Sequence, residues 1–298
     1  MRIDERLAAD SQPSFSFEFF PPKSEQGERN LEAALDELSG MDPTFVSVTY
    51  GAGGTLDERA RTIDIVASIK ERYGLEAMAH FTCVNATTPE LRSSLDRMRD
   101  AGIENVLALR GDPPKGQDEW TATDGGLRYS RELIELIRDD YEFAIGAAAF
   151  PEVHIHAESP ESDLRYLKQK VDAGARFLIT QLFFDSTSYF DFVARAREIG
   201  IEVPIIPGIM PVTSFPQIKK MTEMCGAVIP PRLHAQLEAR SADAEAVTEL
   251  GVAYAALQCA DLLAGGAPGI HFYTLNRSPA TRAILSALRA MAPWAVPA

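Results

Sequence analysis

The sequence predicts an α/β protein built as a single (β/α)8 barrel of the TIM class, with extra helices between its seventh and eighth strands. Three observations carry this. Along 298 residues, apolar runs of strand length alternate with amphipathic stretches of helix length until eight strands have been counted. Nearly every strand ends in a polar residue. The first run, Ser14-Phe15-Ser16-Phe17-Glu18-Phe19-Phe20, alternates strictly. Its phenylalanines share one face, outward against helices, and Ser14, Ser16 and Glu18 share the face toward a lumen.

Residues 1–13 read as a short polar N-terminal arm. The first strand stops at Pro21-Pro22, and a helix follows from Glu28 to Leu38 with Leu31, Leu35 and Leu38 on one stripe. Phe45 to Tyr50 is the second strand, with a helix from Leu56 to Tyr73. Glu76 to Val84 is the third; Thr88-Pro89 opens a helix whose Leu91, Leu95 and Met98 face inward. Asn105 to Arg110 is the fourth, followed by a long polar loop and a helix near Tyr129 to Asp139. Phe143 to Phe150 is the fifth, with a helix from Ser159-Pro160 to Gly174. Arg176 to Phe183 is the sixth, with a helix from about Ser188 to Ile199. Val203 to Ile209 and Gly269 to Leu275 are the seventh and eighth, and the roughly sixty residues between them hold two or three helices. No linker or composition break divides the chain, so residues 1–298 form one domain. A doubly wound open sheet is the alternative, but Gly51-Ala52-Gly53-Gly54 lacks the third glycine of a dinucleotide fingerprint.

The charge balance narrows the partners. Lys plus Arg is 29 against 43 Asp plus Glu, a formal net charge of −14, which argues against nucleic acid or an anionic membrane. Cys83, Cys225 and Cys259 have no metal or redox spacing and are expected to be reduced thiols in a cytoplasmic protein. No apolar run is read as long enough to cross a bilayer.

In a barrel of this class the site forms where strands end. Those positions carry Glu18, Thr49-Tyr50, His80, Arg110-Gly111-Asp112, His154, Gln181, Gln217 and Tyr273 to Arg277. Glu18 faces the lumen, where desolvation is expected to raise its pKa and suit it to acid–base work; an ion pair with Arg110 or a lysine is the alternative. Asp112 pairs with Arg110 or serves a ligand, and Gly111 between them lets a flat ligand approach the backbone. His154 and His156 have no third ligand cluster beside them, so hydrogen bonding rather than metal is expected. Lys168 and Lys170 read by default as a solvated helix face, with a phosphate contact the alternative.

Several blocks in order carry a resemblance: Phe17-Glu-Phe-Phe-Pro-Pro-Lys23, Phe45-Val-Ser-Val-Thr-Tyr-Gly-Ala52, Ala108-Leu-Arg-Gly-Asp112, Pro151-Glu-Val-His154, Lys170-Val-Asp-Ala-Gly174, Ile179-Thr-Gln-Leu-Phe-Phe-Asp185, Ile206-Pro-Gly-Ile-Met-Pro211 and His271-Phe-Tyr-Thr-Leu-Asn-Arg277. With them the chain resembles the methylenetetrahydrofolate reductase family, in its bacterial form of a catalytic barrel alone. The resemblance implies FAD at the barrel mouth, reduced by NADH or NADPH, and ping-pong reduction of 5,10-methylenetetrahydrofolate to 5-methyltetrahydrofolate for methionine synthesis. It implies that Glu18 is the general acid, that Asp112 tunes the flavin, and that Gln181 bonds pterin and nicotinamide in turn. Gln217, Met221 and Arg277 match substrate positions. For FAD the matching residues are Thr49, Tyr50, Ala52, His80, Arg110, Gly111, Asp112, Tyr129, Ser130, Phe150, His154, Ala157, Asp163, Tyr166, Gln169 and Lys170. Phe150 stands where the family often has tyrosine, and Met221 where some members have an aromatic. A homo-oligomer is expected from the same resemblance. Two other readings belong beside it: a proline-dehydrogenase-like flavin barrel, and a flavin-free folate-binding barrel.

Overall fold

Alternation in the first strand sets the frame. In the computed structural model, which describes residues 1–50, 56–111 and 123–295, Ser14–Phe19 forms β1. Phe15, Phe17 and Phe19 are buried outward under the helices, and Ser14, Ser16 and Glu18 line the lumen. The chain then runs α2 Glu25–Ser39, β2 Phe45–Val48, α3 Leu56–Tyr73, β3 Ala77–Thr82, α4 Thr88–Asp100, β4 Asn105–Leu109, α5 Ser130–Asp140, β5 Ala144–Ala149, α6 Pro160–Ala173, β6 Phe177–Thr180 and α7 Ser186–Glu198. Side-chain caps fix several starts: Ser24 accepts from Gly27 N, Thr87 forms a capping box with Glu90, and Ser159 accepts from Ser162 N ahead of Pro160.

The seventh strand is split. Ile205–Ile206 (β7) pairs with β6, and Gly208–Ile209 (β8) pairs with β9, Gly269–Tyr273, which pairs in turn with β1. Every pairing is parallel, so the two halves together close the barrel. Pro207 sits at the break, where its missing N–H can serve no ladder, while its carbonyl accepts from His271 N at 2.9 Å. Gly208 is required there: an added Cβ would lie 2.3 Å from Thr180 O. Between the half-strand and β9 lie α8 Phe215–Cys225, α9 Pro231–Ala239 and α10 Ala244–Ala264, as the length of that insertion predicts, and α11 Pro279–Met291 follows β9.

Two expectations change. The N-terminal arm contains a helix, α1 Ile3–Ala9, which stoppers the amino-terminal end of the barrel. Ile3 is buried among the inward-facing Phe45, Met78, Leu107 and Phe177, and its backbone N donates to Asn105 Oδ1 at 2.7 Å. The Met1 amino group meets Glu76 at 2.7 Å and Glu104. Second, α10 is long and apolar enough to span a bilayer by length and composition, contrary to the sequence reading. Its Val247, Gly251, Ala255, Cys259, Leu262 and Leu263 are buried against the rest of the fold.

Candidate active site

The lumen is apolar at the stoppered end and polar toward the mouth. Above the Phe45, Met78, Leu107 and Phe177 layer come Ser16, Ser47, His80 and His271, then Glu18, Thr82 and Tyr273. Glu18 keeps 17% of its side chain exposed, with Oε2 3.3 Å from His80 Nε2 and 3.5 Å from His271 Nε2. The His80 contact is at ion-pair distance but off hydrogen-bond line, so this buried Nε2 lacks a hydrogen-bond partner, as do the buried hydroxyls of Tyr50 and Thr82. Burial pushes the Glu18 carboxyl up, but the charge of His80 and the hydrogen bond and charge of His271 outweigh it and hold the group down at about 2. The expected upward shift is therefore reversed in the ligand-free protein, and histidines take the place of the alternative Arg110 partner. Arg110 instead donates from Nε to Gly111 O at 3.2 Å.

The loop after β9 fixes the segment that carries Glu18. Thr274 Oγ1 donates to Glu18 O at 2.6 Å, and Asn276 accepts from Phe20 N and donates to Phe20 O, both at 2.9 Å. Leu275 and Asn276 adopt φ of 52° and 56° to present that amide, a backbone region costly for leucine. Beside this clamp lies a cavity of about 220 Å³ lined by Phe20, Gln217, Tyr273, Thr274 and Arg277, among others. Two of the expected substrate residues thus share one wall. Met221, the third, packs partly buried against the Leu182 and Phe184 cluster.

A second group gathers where β5 meets α6. Lys170 is half-buried as a residue, but its ammonium is sunk inside the fold, donating to Ala148 O at 2.7 Å and lying 5.9 Å from the Phe150 ring centre. Burial pulls its pKa down to about 8, opposed by Asp163. The default reading of Lys170 as a solvated charge is thus corrected; Lys168 does lie at the surface, paired with Asp172. His154 packs edge-on to Phe150 at 4.6 Å, and its backbone N donates to Asp163 Oδ2 at 3.1 Å. Val153 turns the chain there at φ 71°, which strains a β-branched residue. His154 Nδ1 accepts from His156 N at 3.1 Å, a hydrogen bond within the fold.

Gln181 follows β6 directly. Its Oε1 accepts from Leu182 N at 2.8 Å, and it lines a small crevice with Phe150 and Cys225. Tyr129 and Ser130 open α5, with Tyr129 exposed; Ala157 N donates to His154 O. Tyr166 is exposed on α6, where Gln169 is half-buried, and Thr49 accepts on its carbonyl from Thr62 Oγ1. Gly111 adopts φ 90°, and an added Cβ would meet Val84 Cγ1 at 2.4 Å, so protein packing by itself already demands glycine. Asp112 and Ala52 lie outside the described residues.

Sequence reasoning passed over His271 and Ser16 as site residues. Period-two alternation in β9 held the signal, since Ile270 and Phe272 face the helices and His271 and Tyr273 the lumen.

Residues 2–289, nearly the whole chain, match the methylenetetrahydrofolate reductase family. The chain belongs to this family. The 5,10-methylenetetrahydrofolate reductases of Escherichia coli and Salmonella typhimurium are each 43% identical to it over 277 residues, covering 93% of this chain and 91% of theirs. A methylenetetrahydrofolate reductase (NADH) of Arabidopsis thaliana is 40% identical over 96% of this chain, and the chain spans only 51% of its length. Among solved structures, an uncharacterised protein from Clostridium thermocellum that binds two copies of 5-methyl-5,6,7,8-tetrahydrofolic acid superposes with a TM-score of 0.65 at 17% identity, over 97% of this chain and 98% of its own. That likeness is one of fold.

Proposed function

We propose that the protein reduces 5,10-methylenetetrahydrofolate to 5-methyltetrahydrofolate with NADH or NADPH, through bound FAD that the two substrates meet in turn. The observation that carries the proposal is a carboxyl, Glu18, sunk at the barrel mouth beside a cavity that Gln217 and Arg277 share, in a chain of this family. The residues present fit the flavin nucleotide. His80 Nε2 and the Thr82 and Tyr50 hydroxyls are buried without hydrogen-bond partners, and the sunken Lys170 ammonium suits an anionic diphosphate. FAD, when bound, supplies a two-electron carrier between nicotinamide and folate. Thr49, His80, Arg110, His154 and Lys170 are the residues proposed to hold it, and the family resemblance gives Asp112 the role of tuning its electronics.

Glu18 supplies the proton. It passes to a nitrogen of the folate's five-membered ring, the C–N bond breaks, and the carbon left as an iminium can accept hydride. A carboxyl at about 2 is ionised at neutral pH, so the acid must gain its proton as ligands bind. Covering the exposed 17% of its side chain strengthens burial, the influence that already pushes upward. Gln181, with its oxygen held by Leu182 N, keeps its NH2 group to donate to pterin or nicotinamide. The folate-binding barrel from Clostridium thermocellum supports the choice of substrate class.

Protein purified with FAD is expected to be yellow, to bleach anaerobically with NADH or NADPH, and to regain colour with 5,10-methylenetetrahydrofolate. Protein that takes up no FAD, or that regains colour with no folate, contradicts the proposal.

A further inference from the structure

We infer that Arg59 is a positioning residue for the flavin: a buried cation on α3 that ties three strand ends together and tilts the bound cofactor toward its reduced, negatively charged form. The inference rests on the flavin part of the reading above. Arg59 is only 1% exposed. Its Nη2 donates to Val84 O at 2.9 Å, and its Cζ lies 5.7 Å from the Tyr50 ring centre and 5.9 Å from that of Phe81. Tyr50 follows β2, Phe81 belongs to β3, and Val84 turns the chain just after it. Val84 N in turn donates to Arg110 O at 3.0 Å, and its side chain fills the space that a Cβ on Gly111 would need. One guanidinium therefore packs on Tyr50 directly and reaches Arg110 and Gly111 through a single residue. All three match flavin positions in the family resemblance, whereas Arg59 lies outside the blocks that carry it.

A guanidinium buried without a counter-charge is costly. Among the described residues no carboxylate pairs with Arg59, and its Nε and Nη1 are buried with no hydrogen-bond partner. Glu90, whose ionised form Arg59 favours, is committed to capping α4 with Thr87. The faces of Tyr50 and Phe81 hold the cation by its charge but do not neutralise it. Were fastening Val84 O the whole task, a neutral donor would serve without stranding a charge. Flavin reduction supplies the missing partner. A hydride adds two electrons and one proton, which leaves one net negative charge on the ring system, and a cation buried behind its contacts favours that state. Lys170, on the β5–α6 side, is the cation proposed for the diphosphate, so the two buried charges serve different parts of the cofactor.

The test is the midpoint potential of the bound flavin, read anaerobically by equilibration with a redox dye. Arg59→Gln keeps a donor for Val84 O and drops the charge; Arg59→Lys keeps the charge and loses the planar fork. In Arg59→Gln the preference for reduced over oxidised flavin should fall about tenfold, a shift of about 30 mV to more negative potential for a two-electron couple, while Arg59→Lys stays close to wild type. A potential unmoved in Arg59→Gln overturns the inference. So does an equal shift in Arg59→Lys, which would leave Arg59 a packing role alone. Should Arg59→Gln not fold, Arg59→Met, which keeps the bulk of the stem, decides by the same criterion. Wild-type protein that takes up no FAD defeats the flavin reading and this inference with it, whereas flavin-loaded variants with the wild-type potential defeat the inference alone.

Discussion

At Glu18 two influences on one carboxyl run against each other, and the histidines win. Folding lowers its pKa from an ordinary 4.5 to about 2, so the folded state favours the ionised form. The resulting stability is present above about pH 4.5 and is lost as pH falls toward 2. Ligand-free Glu18→Gln should accordingly be less stable than wild type by about 1–3 kcal/mol near pH 5, with the gap closing in acid, as read by urea unfolding. The position of Glu18 was legible from strand alternation; its ionisation was not, because His80 and His271 reach it from strands distant in sequence. Gly111 is constrained by packing as well as by whatever ligand it approaches. Its φ of 90° and the Val84 contact predict that Gly111→Ala costs about 1–3 kcal/mol even without ligand. Lys170 shows the limit of helix periodicity, which places a Cα on a face but does not say that a four-carbon stem folds back to Ala148 O.

Among the elements, the strands and their order were readable because each run is bounded by glycine, proline or a polar residue, and parallel strands need helices between them. The short α1 was not. Seven mixed-charge residues make a helix only because Ile3 finds a ready pocket under Phe45, Met78, Leu107 and Phe177. Ile3→Ala should therefore cost about 2–4 kcal/mol in chemical denaturation, although the residue lies at the end of the barrel away from the site. The split seventh strand follows from Pro207, whose meaning depends on what pairs with it. For α10, an all-round apolar composition does not say which face packs, and the structure shows Cys259, Leu262 and Leu263 on the buried one.

For the molecule as a whole, the barrel gathers an acid, two histidines and an amide at one mouth, with a sunken lysine nearby. A ligand that binds only the folded chain stabilises it by mass action, about 2.7 kcal/mol at a hundredfold excess over Kd. FAD should thus raise the melting temperature, and Lys170→Met should shrink that rise if the ammonium balances the diphosphate; an undiminished rise would remove Lys170 from the flavin site. The net charge of −14 does not preclude binding of an anionic cofactor, because Lys170 holds a cation locally beside Phe150. The central claim is that Glu18 gives the proton that folate reduction requires and nicotinamide oxidation does not. Anaerobic stopped-flow on flavin-loaded Glu18→Gln separates the two: flavin reduction by NADH should persist, and reoxidation by 5,10-methylenetetrahydrofolate should fall about 100- to 10,000-fold. Equal survival of both half-reactions would contradict the account.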